Sequence, residues 1–242
     1  MPHERHHSKR RPKVLLACPN GDAWIHKLVV FALIRTMQDP RAETQLILPT
    51  HKPYVNNLHL IVQDFLAGPF DYLVSMDDDN PPLGNLIDLV LLDLDVIGCP
   101  TPVWHCDTKN APNDRPFYFN ALREVEEPDG SVGFKPLDSE PGFKPVGIKR
   151  ADAVGTGCVV IARRVLEELV KRARDEGPLE TPFMRRWDER GIVQMGNDYA
   201  FCQRVRRAGF EVWAHFDYTC QHFNELELTE AINALMRFRL ER

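Results

Sequence analysis

The sequence predicts an α/β fold in which a mixed, mostly parallel sheet carries helices on both faces. Short apolar runs bounded by turn residues alternate with longer segments whose apolar residues recur at helical spacing. This alternation is typical of βαβ units, because the helix that crosses the sheet returns the chain to form a parallel strand. The 242 residues, 43% hydrophobic and 27% charged, suffice for one large domain with a substantial core.

The first half of the chain shows this alternation most clearly. Its strands end at proline, glycine or acidic residues, and its helices carry an apolar stripe such as Leu58, Val62 and Phe65. In order, the predicted elements are a strand over 14–18, a helix over 23–37 capped by Asp22, a strand in "QLILPT", a helix ending before Gly68, a strand in "DYLVSM", a helix in "GNLIDLVLLD" and a strand in "DVIGCP".

The pattern breaks between residues 100 and 150, which are rich in proline and glycine and contain short aromatic pieces such as "PFYFN". We expect an irregular binding surface or a lid there, because long stretches without secondary structure inside compact domains usually serve binding. Regular elements resume with a strand over 158–161 and a helix, then a helix beginning at Asn197-Asp198, a strand in "FEVWAH" and a final helix from Thr229. We therefore expect a single domain over residues 13–242.

Residues 1–12 differ in composition from the rest of the chain. They are basic, with no apolar periodicity, and predict a disordered tail; the other interpretation is an electrostatic arm for a phosphate backbone or an acidic partner.

Composition excludes several classes of protein. The net charge of −5 gives no overall argument for nucleic acid or anionic membrane as partner. No apolar run approaches the ~20 residues of a membrane span, and the N-terminus is too polar for a signal peptide. The six cysteines include no Cys-x-x-Cys pair and most lie in apolar runs, so we expect reduced thiols and a cytoplasmic location. His105-Cys106 lacks the rest of a zinc ligand set.

Three consecutive acids follow the strand in "DYLVSM". Because open parallel sheets bind ligands beyond the carboxyl ends of their strands, Asp77, Asp78 and Asp79 lie where a ligand is expected. Strand alternation would place Asp77 and Asp79 on one side and Asp78 on the other. Two carboxylates on one side suit Mg²⁺ or Mn²⁺, with water and phosphate oxygens as further ligands. The alternative is a solvated acidic turn that caps the next helix.

A second set of polar residues lies near the C-terminus. Asp198, Cys202 and Val205 share one face of the predicted helix, which places the carboxylate near its buried side. Asp198 is either a plain N-cap or a carboxylate directed into a cleft. His222 in "TCQH" is either a neutral imidazole ligand or a structural histidine.

Taken together, the ordered motifs carry a family resemblance. A strand ending in "PNG", a strand ending in "DDDNPP", then "VGTGCVVIARRVLEEL", "GNDYAFCQRVRRAGFEVWAH" and "CQH" resemble the glycosyltransferases of the GT-A fold. The resemblance is closest to the small family-2-like enzymes of bacteria and phages, and it runs from Lys13 to His222. It implies a Rossmann-type sheet with a nucleotide-binding half over 13–99 and an acceptor-binding half over 100–242.

On the donor side, the resemblance implies that Asp77 and Asp79 form an Asp-x-Asp element. This element would hold Mn²⁺ or Mg²⁺ on the diphosphate of a nucleotide-sugar, and His222 would complete the metal shell. The remaining residues implied for nucleotide-sugar binding are Pro19, Asn20, Asp22 and Asp78.

On the acceptor side, Asp198 matches the carboxylate that serves as base in inverting members of the family. Asn197 departs from the acidic pair found there, which leaves a single charge. The turn at 155–157 would let the sugar approach the backbone, because glycine has no side chain. The residues expected on this side are Asn197, Gly155, Thr156, Gly157, Trp104 and His105.

The function implied is metal-dependent transfer of a sugar from a UDP- or GDP-sugar to an acceptor hydroxyl. The resemblance to phage enzymes implies a hydroxymethylated base in DNA as the leading acceptor. Basic residues recur at 163–164, 171–174, 185–186 and 204–207, and they are either solvated helix faces or a surface that binds DNA. Protein, glycan and small-molecule acceptors stay open. A nucleotidyltransferase and a non-catalytic interaction protein are the alternatives, although "ACPNGDAW" lacks the Gly-rich basic loop usual in the former.

Overall fold

The structure is a computed structural model that describes residues 10–21, 24–51, 53–104, 117–128, 130, 132–176, 181–223, 232 and 236. Asp22, His105, most of the basic tail and most of the helix predicted from Thr229 lie outside the described residues.

The described residues form fourteen strands and five α-helices. In chain order the strands are β1 (Lys13–Ala17), β2 (Glu43–Ile47), β3 (Tyr72–Met76), β4 (Val96–Gly98), β5 (Pro102–Trp104), β6 (Phe117–Phe119), β7 (Ala121–Glu126), β8 (Val132–Pro136), β9 (Ile148–Ala151), β10 (Ala153–Val154), β11 (Cys158–Ala162), β12 (Arg186–Trp187), β13 (Val193–Met195) and β14 (Val212–His215). The helices are α1 (Lys27–Met37), α2 (Tyr54–Ala67), α3 (Leu86–Val90), α4 (Arg163–Glu176) and α5 (Asn197–Arg207).

A seven-stranded sheet in the order β2-β1-β3-β11-β4-β14-β9 forms the centre of the molecule. Five of its strands run in one direction, while β11 and β9 run in the other. This arrangement confirms the prediction of a mixed, mostly parallel sheet. The strand alternation did not reveal that β11 lies antiparallel between β3 and β4; the chain reaches it after the long excursion through residues 100–157, not through a single crossover helix.

Each face of the sheet buries its own set of helices. Leu15 and Ala17 of β1 pack with α2, α4 and α5, whereas Val14 and Leu16 pack with α1 and α3. All five residues of β11 are buried, as expected for a central strand covered on both sides. The predicted helices on both faces are therefore confirmed.

Helix α1 begins later than the sequence predicts. Its first residue is Lys27, and the ring Nδ1 of His26 accepts a hydrogen bond from the backbone N–H of Leu28, so Asp22 is not its cap. The segment before it is held extended, because the His26 N–H donates to the Asp78 carbonyl at 2.8 Å. A tertiary hydrogen bond thus overrides the local capping signal.

Residues 100–150 are more regular than predicted. They form the β5–β6 hairpin, and β7, β8 and β10 form a small antiparallel sheet. Arg206 of α5 fastens this sheet to the rest of the molecule through ion pairs with Asp152, at 3.1 Å, and with Glu124. The prolines and glycines of this stretch interrupt the strands but do not prevent them from forming. The prediction of an irregular segment, which was based on the proline and glycine content, was therefore wrong for the described residues.

Candidate active site

The acidic residues at the end of β3 form a turn, which we call the acid loop (Asp77–Asn80). The strand ends at Met76, and the Asn80 N–H faces the Asp77 carbonyl at 3.4 Å. The strand alternation expected for Asp77 and Asp79 therefore does not apply, because neither residue lies in the strand. The Asp77 N–H donates to the Gly157 carbonyl at 2.7 Å, which fixes the loop against the start of β11.

The C-terminal segment 219–223 runs antiparallel to the chain just after the acid loop. The backbone N–H groups of Gln221 and Phe223 donate to the carbonyls of Pro81 and Asp79, at 3.0 and 3.1 Å. This pairing brings residues distant in sequence to the same edge of the sheet. It places His222 beside Asp79, and the role of His222 as a metal ligand stays a prediction.

His222 is oriented toward Asp79. Its Nδ1 lies 3.0 Å from the Pro102 carbonyl, which only accepts hydrogen bonds, so Nδ1 carries the proton in the neutral ring. The other nitrogen, Nε2, lies 3.8 Å from Oδ2 of Asp79. A backbone carbonyl that fixes the tautomer of an imidazole is the usual support for a metal-binding histidine.

Asp77 is the most perturbed carboxyl group at this edge. Its pKa is raised to about 8; burial is the largest cause, and the charges of Asp198, Asp79 and Asp78 contribute to the rise. The Tyr54 hydroxyl donates to its Oδ1 and opposes the rise. A nearby cation would offset the burial and the neighbouring charges and favour the ionised carboxylate.

Asp198 lies across the cleft, in the first turn of α5. Gly196 is the N-cap residue of that helix, so Asp198 is not the plain cap. Its carboxylate accepts from the Thr156 hydroxyl at 2.9 Å and from the Thr156 N–H at 3.3 Å. Burial raises the pKa of Asp198, while the hydrogen bonds from Thr156 and the charge of Arg185 lower it.

The glycines of the turn at 155–157 leave room for neighbouring side chains of the protein. A Cβ atom on Gly155 would lie 1.9 Å from Nδ2 of Asn120, and one on Gly157 would lie 3.2 Å from Cγ of Asn80. The absence of a side chain at Gly155 therefore accommodates Asn120, and its absence at Gly157 accommodates the acid loop. The expectation that this turn also lets a sugar approach the backbone stays a prediction.

The buried residues of the loop after β1 mainly hold the neighbouring backbone in place through hydrogen bonds. Pro19 and Asn20 are buried; Nδ2 of Asn20 donates to the Trp24 carbonyl at 2.8 Å, and Nδ2 of Asn57 donates to the Asn20 carbonyl. The Trp24 side chain, in contrast, is 57% exposed at this edge and offers an aromatic face. An exposed aromatic ring suits stacking on a base, whereas a buried amide does not.

The other predicted residues lie around the same cleft. Trp104 is partly buried in the β5–β6 hairpin, whose Pro102 contacts His222. Asn197 is the first residue of α5 and is partly buried. Asp78 contributes its carbonyl to His26.

Sequence reasoning missed Tyr54, His26 and Trp24. Tyr54 opens the helix after β2, and β2 points to the same edge of the sheet as β3. A polar aromatic residue just after a parallel strand is a signal that could have drawn attention to it. His26 stacks on Phe223 at a centroid distance of 3.8 Å, which ties α1 to the C-terminal segment.

Comparison with solved structures shows a shared fold. The structure is similar to the crystal structure of A197 from STIV (15% identity, TM-score 0.53, 88% of this chain and 86% of that chain). It is also similar to the crystal structure of GalNAc-T7 with UDP, GalNAc and Mn²⁺ (11% identity, TM-score 0.54, 95% of this chain). This chain spans 48% of the GalNAc-T7 chain.

These likenesses support the GT-A-like fold that the motifs implied. No protein-family model and no curated protein matches the sequence. Among the described residues, no helix combines the length and the apolar character that crossing a bilayer requires.

Proposed function

We propose that this chain is a metal-dependent glycosyltransferase, related to the family-2-like enzymes, that moves a sugar from a UDP- or GDP-sugar to an acceptor hydroxyl. The observation that carries the proposal is the geometry of the cleft. His222 lies beside Asp79 at the carboxyl end of β3, Asp77 belongs to the same acid loop, and Asp198 in α5 is close enough for its charge to raise the pKa of Asp77. The shared fold with GalNAc-T7, whose structure holds UDP and Mn²⁺, supports it.

The acid loop and His222 offer ligand types that suit a divalent cation, although the ligand atoms of Asp77, Asp79 and His222 do not all lie within 4.8 Å of one another, so holding an ion would require them to shift. Carboxylate oxygens and a neutral imidazole are ligands that Mn²⁺ accepts, and a cation would offset the burial and the neighbouring charges that raise the pKa of Asp77. Asp77, Asp79 and His222 would hold the ion. When bound, it would supply charge stabilisation for the departing nucleoside diphosphate, which is largest in the transition state.

Asp198 would accept the proton of the acceptor hydroxyl. In this step the hydroxyl oxygen bonds to the anomeric carbon, the bond to the diphosphate oxygen breaks, and the proton passes to a carboxylate oxygen of Asp198. Thr156 holds that carboxylate in place through two hydrogen bonds. Its raised pKa makes it a stronger base, which contributes ~10²–10⁴-fold when the base is positioned on the reacting proton.

For the acceptor molecule we propose DNA, and one surface feature favours it. Arg172, Arg186, Arg204 and Arg207 line a cavity of about 180 Å³ between α4 and α5. Arg204 follows Asp198 by six residues along α5, which corresponds to ~9 Å at 1.5 Å per residue. A duplex with phosphates on this cavity could therefore place a base near Asp198.

Transfer assays would test the enzyme itself. Purified protein with Mn²⁺ should hydrolyse or transfer from UDP- or GDP-sugars, and Asp79→Ala should abolish this activity. Asp64→Ala, an exposed acid on α2, is the matched control and should retain it. Activity that survives Asp79→Ala would overturn the metal assignment, and release of pyrophosphate from a nucleoside triphosphate would favour a nucleotidyltransferase.

Binding assays would test the acceptor. Fluorescence polarisation with hydroxymethylated and plain duplexes should show salt-dependent binding that Arg204→Glu weakens. Absence of binding at low salt would exclude DNA and leave protein, glycan and small-molecule acceptors. Absence of any donor hydrolysis as well would leave a non-catalytic protein with this fold.

A further inference from the structure

Three cysteines meet in the core behind the acid loop. Cys99 follows β4, Cys158 begins β11 and Cys220 precedes His222, and their sulfur atoms all lie within 4.8 Å of one another. Cys99 and Cys158 are 0% exposed and Cys220 is 4% exposed. We call these three residues the thiol cluster.

The backbone holds the thiol cluster together without help from the sulfurs. The Cys99 N–H donates to the Cys158 carbonyl at 2.8 Å, and the Cys220 N–H donates to the Pro100 carbonyl at 3.0 Å. The cluster is therefore preorganised by strand pairing. Preorganised ligand atoms lower the conformational entropy that binding must overcome.

We propose that Cys99, Cys158 and Cys220 form a binding site for a thiophilic divalent cation of the Zn²⁺ class. Thiolates select soft and borderline cations, whereas the carboxylates of the acid loop select Mg²⁺ or Mn²⁺. A tetrahedral ion with Zn–S bonds of ~2.3 Å holds its sulfurs ~3.8 Å apart, so the cluster needs only small shifts to bind one.

The charge balance favours a divalent ion. Three thiolates around a monovalent cation would leave two negative charges in an apolar site, and around a divalent cation only one.

Thr101 offers a fourth donor. Its residue is 3% exposed, and its hydroxyl has no hydrogen-bond partner of standard geometry among the described residues. The hydroxyl lies beside the Cys220 thiol and lowers its pKa, although burial raises that pKa overall. The hydroxyl is therefore placed to add a neutral oxygen donor beside the three sulfur atoms.

An ion in the thiol cluster would fasten the C-terminal segment to the central sheet. Cys220 lies two residues before His222, and Cys158 directly follows Gly157. The ion would therefore stabilise the two segments that position His222 and the acid loop, without touching the nucleotide-sugar.

Cobalt titration tests the site directly. Metal-free protein kept reduced by a phosphine should bind one equivalent of Co²⁺ with a thiolate-to-cobalt charge-transfer band, and Zn²⁺ should displace it. Carboxylates give no such band, so the result does not depend on the transferase activity. Absence of the band in the reduced wild-type protein would overturn the proposal.

Variants locate the site. Cys99→Ala and Cys158→Ala should each weaken Co²⁺ binding by at least ~10-fold, whereas Cys202→Ala, an equally buried thiol outside the cluster, should leave it unchanged. Should the cluster variants fail to fold, a rise in the Tm of the wild-type protein on adding Zn²⁺ after chelation is the substitute measurement. A native disulfide within the cluster, detected by mass spectrometry, would overturn the proposal.

Discussion

Two carboxylates face each other across the cleft, and the chain surrounds them differently. Asp77 lies among other acids, and their charges add to the burial that raises its pKa. Asp198 has Thr156 and the Arg185 charge as the groups that oppose its burial. Under the proposed function, the first carboxylate would hold the cation and the second would accept a proton. The same residue type would then take two roles according to its neighbours.

Removing the carboxylate charge at Asp198 should have the largest effect. Asp198→Asn keeps the side-chain shape but loses the proton acceptor, so we expect kcat to fall by ~10²–10⁴-fold. Steady-state kinetics should show this loss in kcat. The Mn²⁺ concentration that half-activates the enzyme should stay unchanged. A parallel loss of Mn²⁺ affinity would show that the two carboxylates do not have separate roles.

Replacing His222 should have the next largest effect. His222→Ala removes the Nε2 atom that faces Asp79, and we expect Mn²⁺ affinity to fall by at least ~10-fold. Titration with Mn²⁺, followed by its electron paramagnetic resonance signal, measures the change. His59→Ala, on α2, is a control that should have no effect.

Asp77→Asn should stabilise the metal-free protein. The pKa of Asp77 in the folded protein, about 8, lies above the ordinary aspartate value of 3.8. The stability this group contributes is therefore fully present below pH ~4 and is lost as the pH rises toward 8. Asparagine keeps the hydrogen bond from Tyr54 and avoids that loss.

Because Asp77 as a whole is only partly buried, we expect a gain of ~1–2 kcal/mol at pH 8. Urea unfolding at pH 5 and pH 8 measures it, and Mn²⁺ should stabilise the wild type more than the variant. An equal effect of the substitution at both pH values would contradict the assigned titration.

Tyr54→Phe should give the smallest change. It removes the hydroxyl that lowers the pKa of Asp77, so that pKa should rise by ~1 unit. The pH at which Mn²⁺ half-activates the enzyme should move upward by the same amount. Tyr72→Phe, whose hydroxyl donates to Asp93 away from the cleft, should leave the profile in place.

The sequence predicted those parts of the molecule that depend on local pattern. The strand that leads to Asp77 and the helix that begins at Asn197 follow from apolar periodicity, and the family resemblance implied that His222 lies near the acids. Such patterns indicate where an element ends, and the carboxyl ends of parallel strands share one edge.

The rest depends on contacts between distant segments. The Tyr54–Asp77 hydrogen bond, the capping of α1 by His26 and the convergence of the cysteines each join parts of the chain that no local rule connects. The insertion of β11 between β3 and β4 also follows from sheet order, which periodicity does not encode. Sequence alone therefore indicated the separate carboxylates but not what surrounds each of them.

The turn at 155–157 has a consequence for the reaction as a whole. The Gly157 carbonyl holds the backbone of Asp77, while Thr156, one residue earlier, holds the carboxylate of Asp198. Adjacent residues thus set the separation between the carboxylates of Asp77 and Asp198. Under the proposed function these are the metal ligand and the base, so a shift of either one by a fraction of an ångström, through a larger ion or a bulkier sugar, would be transmitted to the other along two peptide units.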